Sequence, residues 1–309
     1  MRTTKTLSNR KRKNKWRDNL FYAVLVALPL LQFCVFYIGV NANTMIKAFS
    51  AYDIESGKYV FAGLEQFKTI IEEFRLNPIY KTSMLNSLKA YAIKTAVSLP
   101  VSLLLSYYIF KKARGYRTFR VLLFMPSIIS PMVLTTVFKY VTDLLYPELM
   151  FKMTGVYPSG LLMEPDSIFP LALFYTIWVG FGVTTMIYRG AMDNVSPEML
   201  EAATIDGAGE FMQFRKMILP MIFPTISVFL LSGIAGIFMD QINLYSLFAG
   251  SPPYEQVKTF GYQFFIETQK ATLSGYPRLA AYGLILSVVT IPTVLLLRRW
   301  FNKINPMEG

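Results

Sequence analysis

The chain has 309 residues, of which 53% are hydrophobic and only 16% charged; its net charge is +12 and its mean hydropathy +0.39. Soluble proteins usually carry about a quarter charged residues, so this balance excludes ordinary water-soluble domains and points to a membrane protein. Histidine is absent and Cys34 is the single cysteine, which removes the commonest metal ligand, the commonest general base and any intrachain disulfide.

Residues 1–17 hold eight Lys or Arg and read as a basic cytoplasmic tail near anionic lipid. Residues 18–309 read as a single transmembrane domain. Phe21 to Val40 is an uncharged run of 20 residues, about 30 Å long as a helix and enough to cross the hydrocarbon. It is too long for a signal-peptide core and lacks a small-residue cleavage site. Gln32 and Phe33 before Cys34 do not suit lipid attachment, so Cys34 reads as a span residue. A mixed polar segment, 41–86, follows as the first outside segment.

Further spans are expected at about 87–110, 121–141, 168–188, 217–239 and 279–297. Lys94 sits inside the second span, where exposure to lipid costs about 2–3 kcal/mol, so either it faces a polar interior or the span starts later than residue 87. The third span contains Pro126 and Pro131, which membrane helices tolerate where neighbours satisfy the freed carbonyls. Nineteen of the 31 Lys and Arg fall in 1–17, 111–120, 189–216 and 298–303. The positive-inside rule therefore gives six spans with both termini in the cytoplasm. The basic residues flank apolar spans and line no soluble surface, so nucleic acid is not an expected partner.

The polar loop 189–216 carries its own helix signals. Ser196 suits an N-cap, Pro197 the first helical position, and Glu198 and Glu201 the positive end of the helix dipole. Gly207 suits a left-handed helix end, and the small residues beside Leu200 and Ala203 suit close approach of another backbone. The run Glu201-Ala202-Ala203, Asp206-Gly207-Ala208, Phe211, Phe214 and Leu219-Pro220 resembles the EAA loop of permease subunits of ATP-binding-cassette (ABC) importers. Met217 stands where that family often has Ile.

Two further stretches are similar to the carbohydrate branch of the same family. One is Phe61-Ala62-Gly63-Leu64-Glu65-Gln66-Phe67. The other is Phe238 to Tyr245, which has Met239 inserted before Asp240 and is followed by a turn at 249–253.

The resemblance implies an all-α membrane protein with the type I ABC importer permease fold. It implies a second homologous permease, two ATPase subunits that bind ATP-Mg, an extracytoplasmic solute-binding protein, and a bacterial cytoplasmic membrane as the site of work. Glu201, Ala202, Ala203, Asp206, Gly207 and Ala208 are then the ATPase-coupling residues. Asp240, Gln241 and Asn243 are candidates for sugar hydroxyls, and Tyr175, Trp178 and Tyr245 for stacking on a sugar face; an interfacial aromatic belt and loop-tying polar groups are the alternative.

The sequence holds no phosphate-binding Gly-x-x-x-x-Gly-Lys-Ser/Thr stretch, no HExxH and no Ser-His pair. No catalytic residue, metal site or resident cofactor is expected, and the chain reads as a transport subunit rather than an enzyme. The expected function is ATP-driven import of a sugar or oligosaccharide. A permease for a non-sugar solute and a stand-alone ion-driven transporter are the alternatives.

Overall fold

A chain in hydrocarbon must satisfy its own backbone hydrogen bonds, and the apolar runs accordingly fold as helices. The computed structural model describes residues 19–248 and 254–304; the basic tail at 1–17 and the turn at 249–253 lie outside the described residues. The described residues divide into two compact units, one within Met1–Ile70 and Ala271–Leu284, the other within Ile71–Lys270 and Ile285–Gly309.

The first unit begins with α1 (Asn19–Ala48), a helix of 30 residues. Every residue from 19 to 46 is exposed, so packing within the described residues reaches this helix only at its last two positions, Lys47 and the fully buried Ala48. A hairpin follows, β1 (Ser50–Asp53) antiparallel to β2 (Lys58–Phe61), with Ser50 opposite Phe61 and Asp53 opposite Lys58. The Asp53 carboxylate closes its turn by accepting from the Ser56 hydroxyl at 2.6 Å and the Glu55 N–H at 3.1 Å. These bonds, the hydroxyl's foremost, hold its pKa below the ordinary value. Lys47 lies 5.0 Å over the Tyr59 ring, and the Tyr59 hydroxyl donates to the Leu273 carbonyl at 3.1 Å. The polar composition of 41–86 did not mark this hairpin. Its strands are four residues each, too short for alternation to stand out. Helix α2 (Glu65–Leu76) leads out of this unit.

The second unit is built on α3 (Pro78–Phe110), 33 residues long. Asn77 caps it by accepting from the Ile79 N–H at 3.0 Å, with Pro78 in the first turn. Next come α4 (Tyr116–Ile128) and α5 (Pro131–Thr154), bent 100° from one another. The expected single span at 121–141 is therefore a bent pair, and the reason lies in the proline positions. Pro126 is absorbed within α4, whereas Pro131 forces Ile129 and Ser130 into extended conformations, with ψ of 140° and 130°.

Helix α6 (Pro165–Met192), the short α7 (Pro197–Ile205) and α8 (Glu210–Ala235) follow. Then come α9 (Leu244–Phe248), α10 (Phe260–Lys270) and α11 (Tyr276–Ile304), which runs through both units. Among the described residues, five helices are each long and apolar enough to cross a membrane, or six if the bent pair is counted as one span.

Helix α6 is the centre of the second unit, packing most extensively on α3 and then on α4. Small residues allow this, as in other membrane helix pairs. Ser102, Ser106 and Thr185 are fully buried, and the Ser106 hydroxyl donates to the Thr185 carbonyl at 2.9 Å. A Cβ on Gly182 would lie 2.5 Å from the Leu123 carbonyl oxygen and 2.9 Å from the Phe124 Cα, both backbone atoms of α4. Gly182→Val should therefore cost about 1–3 kcal/mol through overpacking. Its thermal midpoint in detergent, read by fluorescence-detected size exclusion, should fall by several degrees. Gly190→Ala, where an added Cβ meets nothing within 4 Å, should leave the midpoint unchanged.

Candidate functional site

The loop between α6 and α8 is an ordered helix closed at both ends. The Ser196 hydroxyl oxygen accepts from the Met199 N–H at 3.4 Å, and the same hydroxyl donates to the Glu198 carboxylate. That bond, followed by Glu198's own backbone N–H, lowers the Glu198 pKa. At the other end Gly207 takes φ +80°. The Ala208 N–H bonds the Ala203 carbonyl at 2.8 Å and the Gly207 N–H bonds Thr204 at 3.1 Å, the paired closure of a Schellman motif.

This helix faces two ways. Leu200 packs on a core of Leu103, Tyr188, Met192, Phe214 and Ile218, and Ala203 is only 8% exposed. Glu201, Ala202, Asp206 and Gly207 face outward, and Ala208 is half-buried. A Cβ on Gly207 would meet nothing within 4 Å. Ile205 is 86% exposed and Phe211 71% exposed, a pair of large apolar side chains held out on either side of the glycine turn.

Gln213, which the sequence did not single out, fastens the loop. It is 2% exposed. Its Nε2 donates to the Thr204 hydroxyl oxygen and the Ala208 carbonyl, both at 2.9 Å, and its Oε1 accepts from Lys111 Nζ at 3.4 Å. Beside it the Tyr107 hydroxyl donates to the Glu210 carbonyl at 3.0 Å, and the Tyr107 and Phe214 rings lie 4.8 Å apart. The C-terminal end of α3 is thus tied to α7 through one amide. The only hint in the sequence was a neutral donor–acceptor side chain between Met212 and Phe214.

A cavity of about 310 Å³ opens between α3, α6 and α8. Thr95, Ser98, Thr176 and Thr184 give its wall hydroxyls, and Tyr188 and Phe229 give it flat apolar faces. Lys94, the central residue of α3, is the one charged side chain on the wall. It forms an ion pair with Asp240, both side chains being about a third exposed at 29% and 32%.

The segment after α8 holds that carboxylate in place. Its Oδ1 accepts from the Ile242 N–H at 2.9 Å, and its carbonyl accepts from the Thr259 hydroxyl at 2.9 Å. Ile242 and Asn243 follow in left-handed conformations, φ +44° and +58°. For a β-branched residue this is strained backbone, which tends to persist where function requires it.

None of the six residues expected at a sugar lines the cavity itself. Asp240 reaches it through Lys94, and Asn243 through an amide donated to the Thr176 hydroxyl oxygen at 2.9 Å. Gln241 is half-buried beside them. Tyr245 is 42% exposed and meets the Phe265 ring edge-on. Tyr175 is 2% exposed, its hydroxyl 2.8 Å from that of Thr135, and Trp178 packs at its edge in the same core. Among the described residues no group of three or more His, Cys, Asp or Glu gathers in a form that could hold a metal.

Long apolar helices around a hydroxyl-lined cavity, with a capped helix anchored across their ends, define the membrane component of a solute-transport system. Residues 98–306 match the family described as the binding-protein-dependent transport system inner membrane component, and the chain belongs to that family.

It is 26% identical over 297 residues to the arabinooligosaccharides transport system permease protein AraP of Bacillus subtilis (strain 168), covering 92% of this chain and 91% of AraP. It is 23% identical to the sn-glycerol-3-phosphate transport system permease protein UgpA of Shigella flexneri, covering 82% and 84%. In fold it matches a chain from the crystal structure of a bacterial ABC transporter involved in import of the acidic polysaccharide alginate. The TM-score is 0.74 at 20% identity, with 96% of this chain and 99% of that chain covered.

Gln213→Leu removes three hydrogen bonds and leaves the Ala208 carbonyl and the Lys111 ammonium without that partner. At about 1–3 kcal/mol for a buried group left unsatisfied, the loop should open more readily. Hydrogen exchange should speed up by about tenfold or more at the amides of 203–213 and remain unchanged in the middle of α6.

Proposed function

We propose that this chain is one permease subunit of an ATP-driven importer that carries a sugar or oligosaccharide into the bacterial cytoplasm. In this reading the chain has no ATPase site and is moved through its 189–216 loop by two ATPase subunits that bind ATP-Mg. The observation that carries it is the rigid, doubly capped α7, which presents Glu201, Ala202, Asp206 and Gly207 outward between exposed Ile205 and Phe211. A fixed polar helix edged by two large apolar side chains suits docking into a cleft of another subunit.

A second, related permease and an extracytoplasmic binding protein complete the assembly. The solved alginate transporter in complex with an alginate pentasaccharide-bound periplasmic protein supports the latter. The distribution of basic segments supports a cytoplasmic location for both termini through the positive-inside rule. The name of AraP supports carbohydrate as the cargo. The sugar would be identified by thermal-shift screening of the cognate binding protein.

Gly207 gives the decisive test, because a side chain there meets nothing within its own chain. Gly207→Asp adds a charged group to the docking face at a φ that Asp tolerates better than most residues. The variant should reach the membrane in normal amount, while ATP-dependent uptake and stimulation of ATPase activity fall to background in proteoliposomes. Full transport by Gly207→Asp would remove α7 from the coupling role.

A further inference from the structure

Resting on the reading of the chain as an importer subunit, we propose that the cavity between α3, α6 and α8 is a binding site for a neutral, polyhydroxylated solute. Lys94 is its principal polar contact and Asp240 the residue that positions Lys94. The volume of about 310 Å³ lies at the lower end of small-molecule sites, about 300–1,000 Å³, and suits one or two sugar rings at a time.

The wall chemistry matches hydroxyl groups, which both donate and accept. The Thr176 and Thr184 hydroxyls spend their protons on the carbonyls of Ala172 and Gly180, at 2.8 and 2.9 Å. The Thr184 oxygen is left with its acceptor capacity toward the cavity, while that of Thr176 also accepts from the Asn243 amide. Lys94 has only donors, three of them, and Asp240 takes one. Tyr188 and Phe229 add apolar faces of the kind that pack on the carbon side of a pyranose.

Charge decides between neutral and ionic cargo. The pair has no net charge, and Asp240 is pinned by the Ile242 N–H and by the grip on its own backbone. Gly261 completes that grip: a Cβ there would lie 2.7 Å from the Asp240 carbonyl oxygen. An anionic solute approaching Lys94 meets a carboxylate that cannot withdraw, and a cation meets the ammonium. A neutral solute meets neither penalty and still takes the free donors of Lys94.

The test uses charge-varied thiol reagents on the assembled transporter in proteoliposomes. Cys34 is the only native cysteine, so Cys34→Ser with Ser98→Cys places one thiol on the cavity wall. Three methanethiosulfonates serve as probes: a neutral glucosyl reagent, a sulfonatoethyl anion and a trimethylammonioethyl cation. Each rate is divided by that reagent's rate with free cysteine.

The glucosyl reagent should react about tenfold faster than either ionic one. Lys94→Gln should slow it about tenfold, the loss of one charge-assisted hydrogen bond. Lys94→Gln with Asp240→Asn, which restores neutrality, should not restore the rate, whereas Lys94→Arg should retain most of it. Size-exclusion elution checks that each variant is folded, and Lys94→Arg carries the test if the Gln variant is not.

An unreactive Ser98→Cys, or glucosyl rates that ignore Lys94 and Asp240, would overturn the proposal. The importer reading is judged separately, by whether ATP with vanadate changes the rates: charge selectivity without a nucleotide response keeps the binding site and removes ATP-driven coupling.

Discussion

An ammonium group at the middle of a membrane helix is the constraint that shapes the centre of this molecule. Helix α3 is 33 residues long, about 50 Å at the α-helical rise, and Lys94 stands halfway along it. A lone charge at that depth is expensive, and proteins accept it only where a partner or a polar cavity receives it. Here both are present. Asp240 pairs with the ammonium from the turn after α8, and the ammonium borders the hydroxyl-lined cavity. The turn that supplies the carboxylate is itself bent into two consecutive left-handed residues, at a cost of about 1–2 kcal/mol each. The bonds from the Ile242 N–H and the Thr259 hydroxyl, and the missing side chain of Gly261, are what allow that geometry to persist.

The same helix links the cavity to the loop. Lys94 and Lys111 are seventeen positions apart on α3, about 25 Å, with unbroken helix between Lys94 and Phe110. Gln213 joins Lys111 to Thr204 and Ala208 of the α7 turn, and Tyr107 joins α3 to Glu210. A force applied to α7 therefore acts on the end of a helix that continues through Pro100 and whose centre lines the cavity. Proteins transmit motion over such distances through rigid elements and packed contacts with discrete arrangements. In the proposed importer this places the loop and the cargo site on one mechanical element, with no need for a relay of side chains between them.

The fold class was legible in the sequence because membrane helices announce themselves through length and the absence of charge. The family was legible because ten residues spread over positions 201–220 carry its pattern. The helix caps were legible as well, since Ser196, Pro197 and Gly207 act through local backbone chemistry that needs no tertiary context. What stayed hidden depended on distant partners. Both Pro126 and Pro131 are prolines in one apolar run, and the sequence did not tell which would sit within a helix and which would start a new one. Tyr175 offered an aromatic face and a hydroxyl to sequence reasoning, but Thr135 and the core claim both. Ala203, grouped with its motif neighbours as a docking residue, turns inward because α7 is amphipathic on a scale of three residues. Gln213 and the Lys94–Asp240 pair join positions 102 and 146 residues away from their partners, and no spacing rule reaches that far.

Helix α1 sets the remaining physical requirement. Each of its residues from 19 to 46 is exposed, and Phe21, Leu28, Leu31 and Phe36 are each more than half exposed. In water such a surface would drive aggregation, so lipid or another subunit must cover it. Lipid alone would suffice thermodynamically, because hydrocarbon is as good a surround for leucine as another helix is. Two features of α1 nevertheless exceed what a simple anchor needs. It is 30 residues long where about 20 would span, and its middle is π-helical from Phe33 to Gly39. Extra length and a widened turn let a helix tilt and follow a curved neighbour. Such a helix can follow the surface of whatever covers it, and in the proposed importer that cover is the second permease.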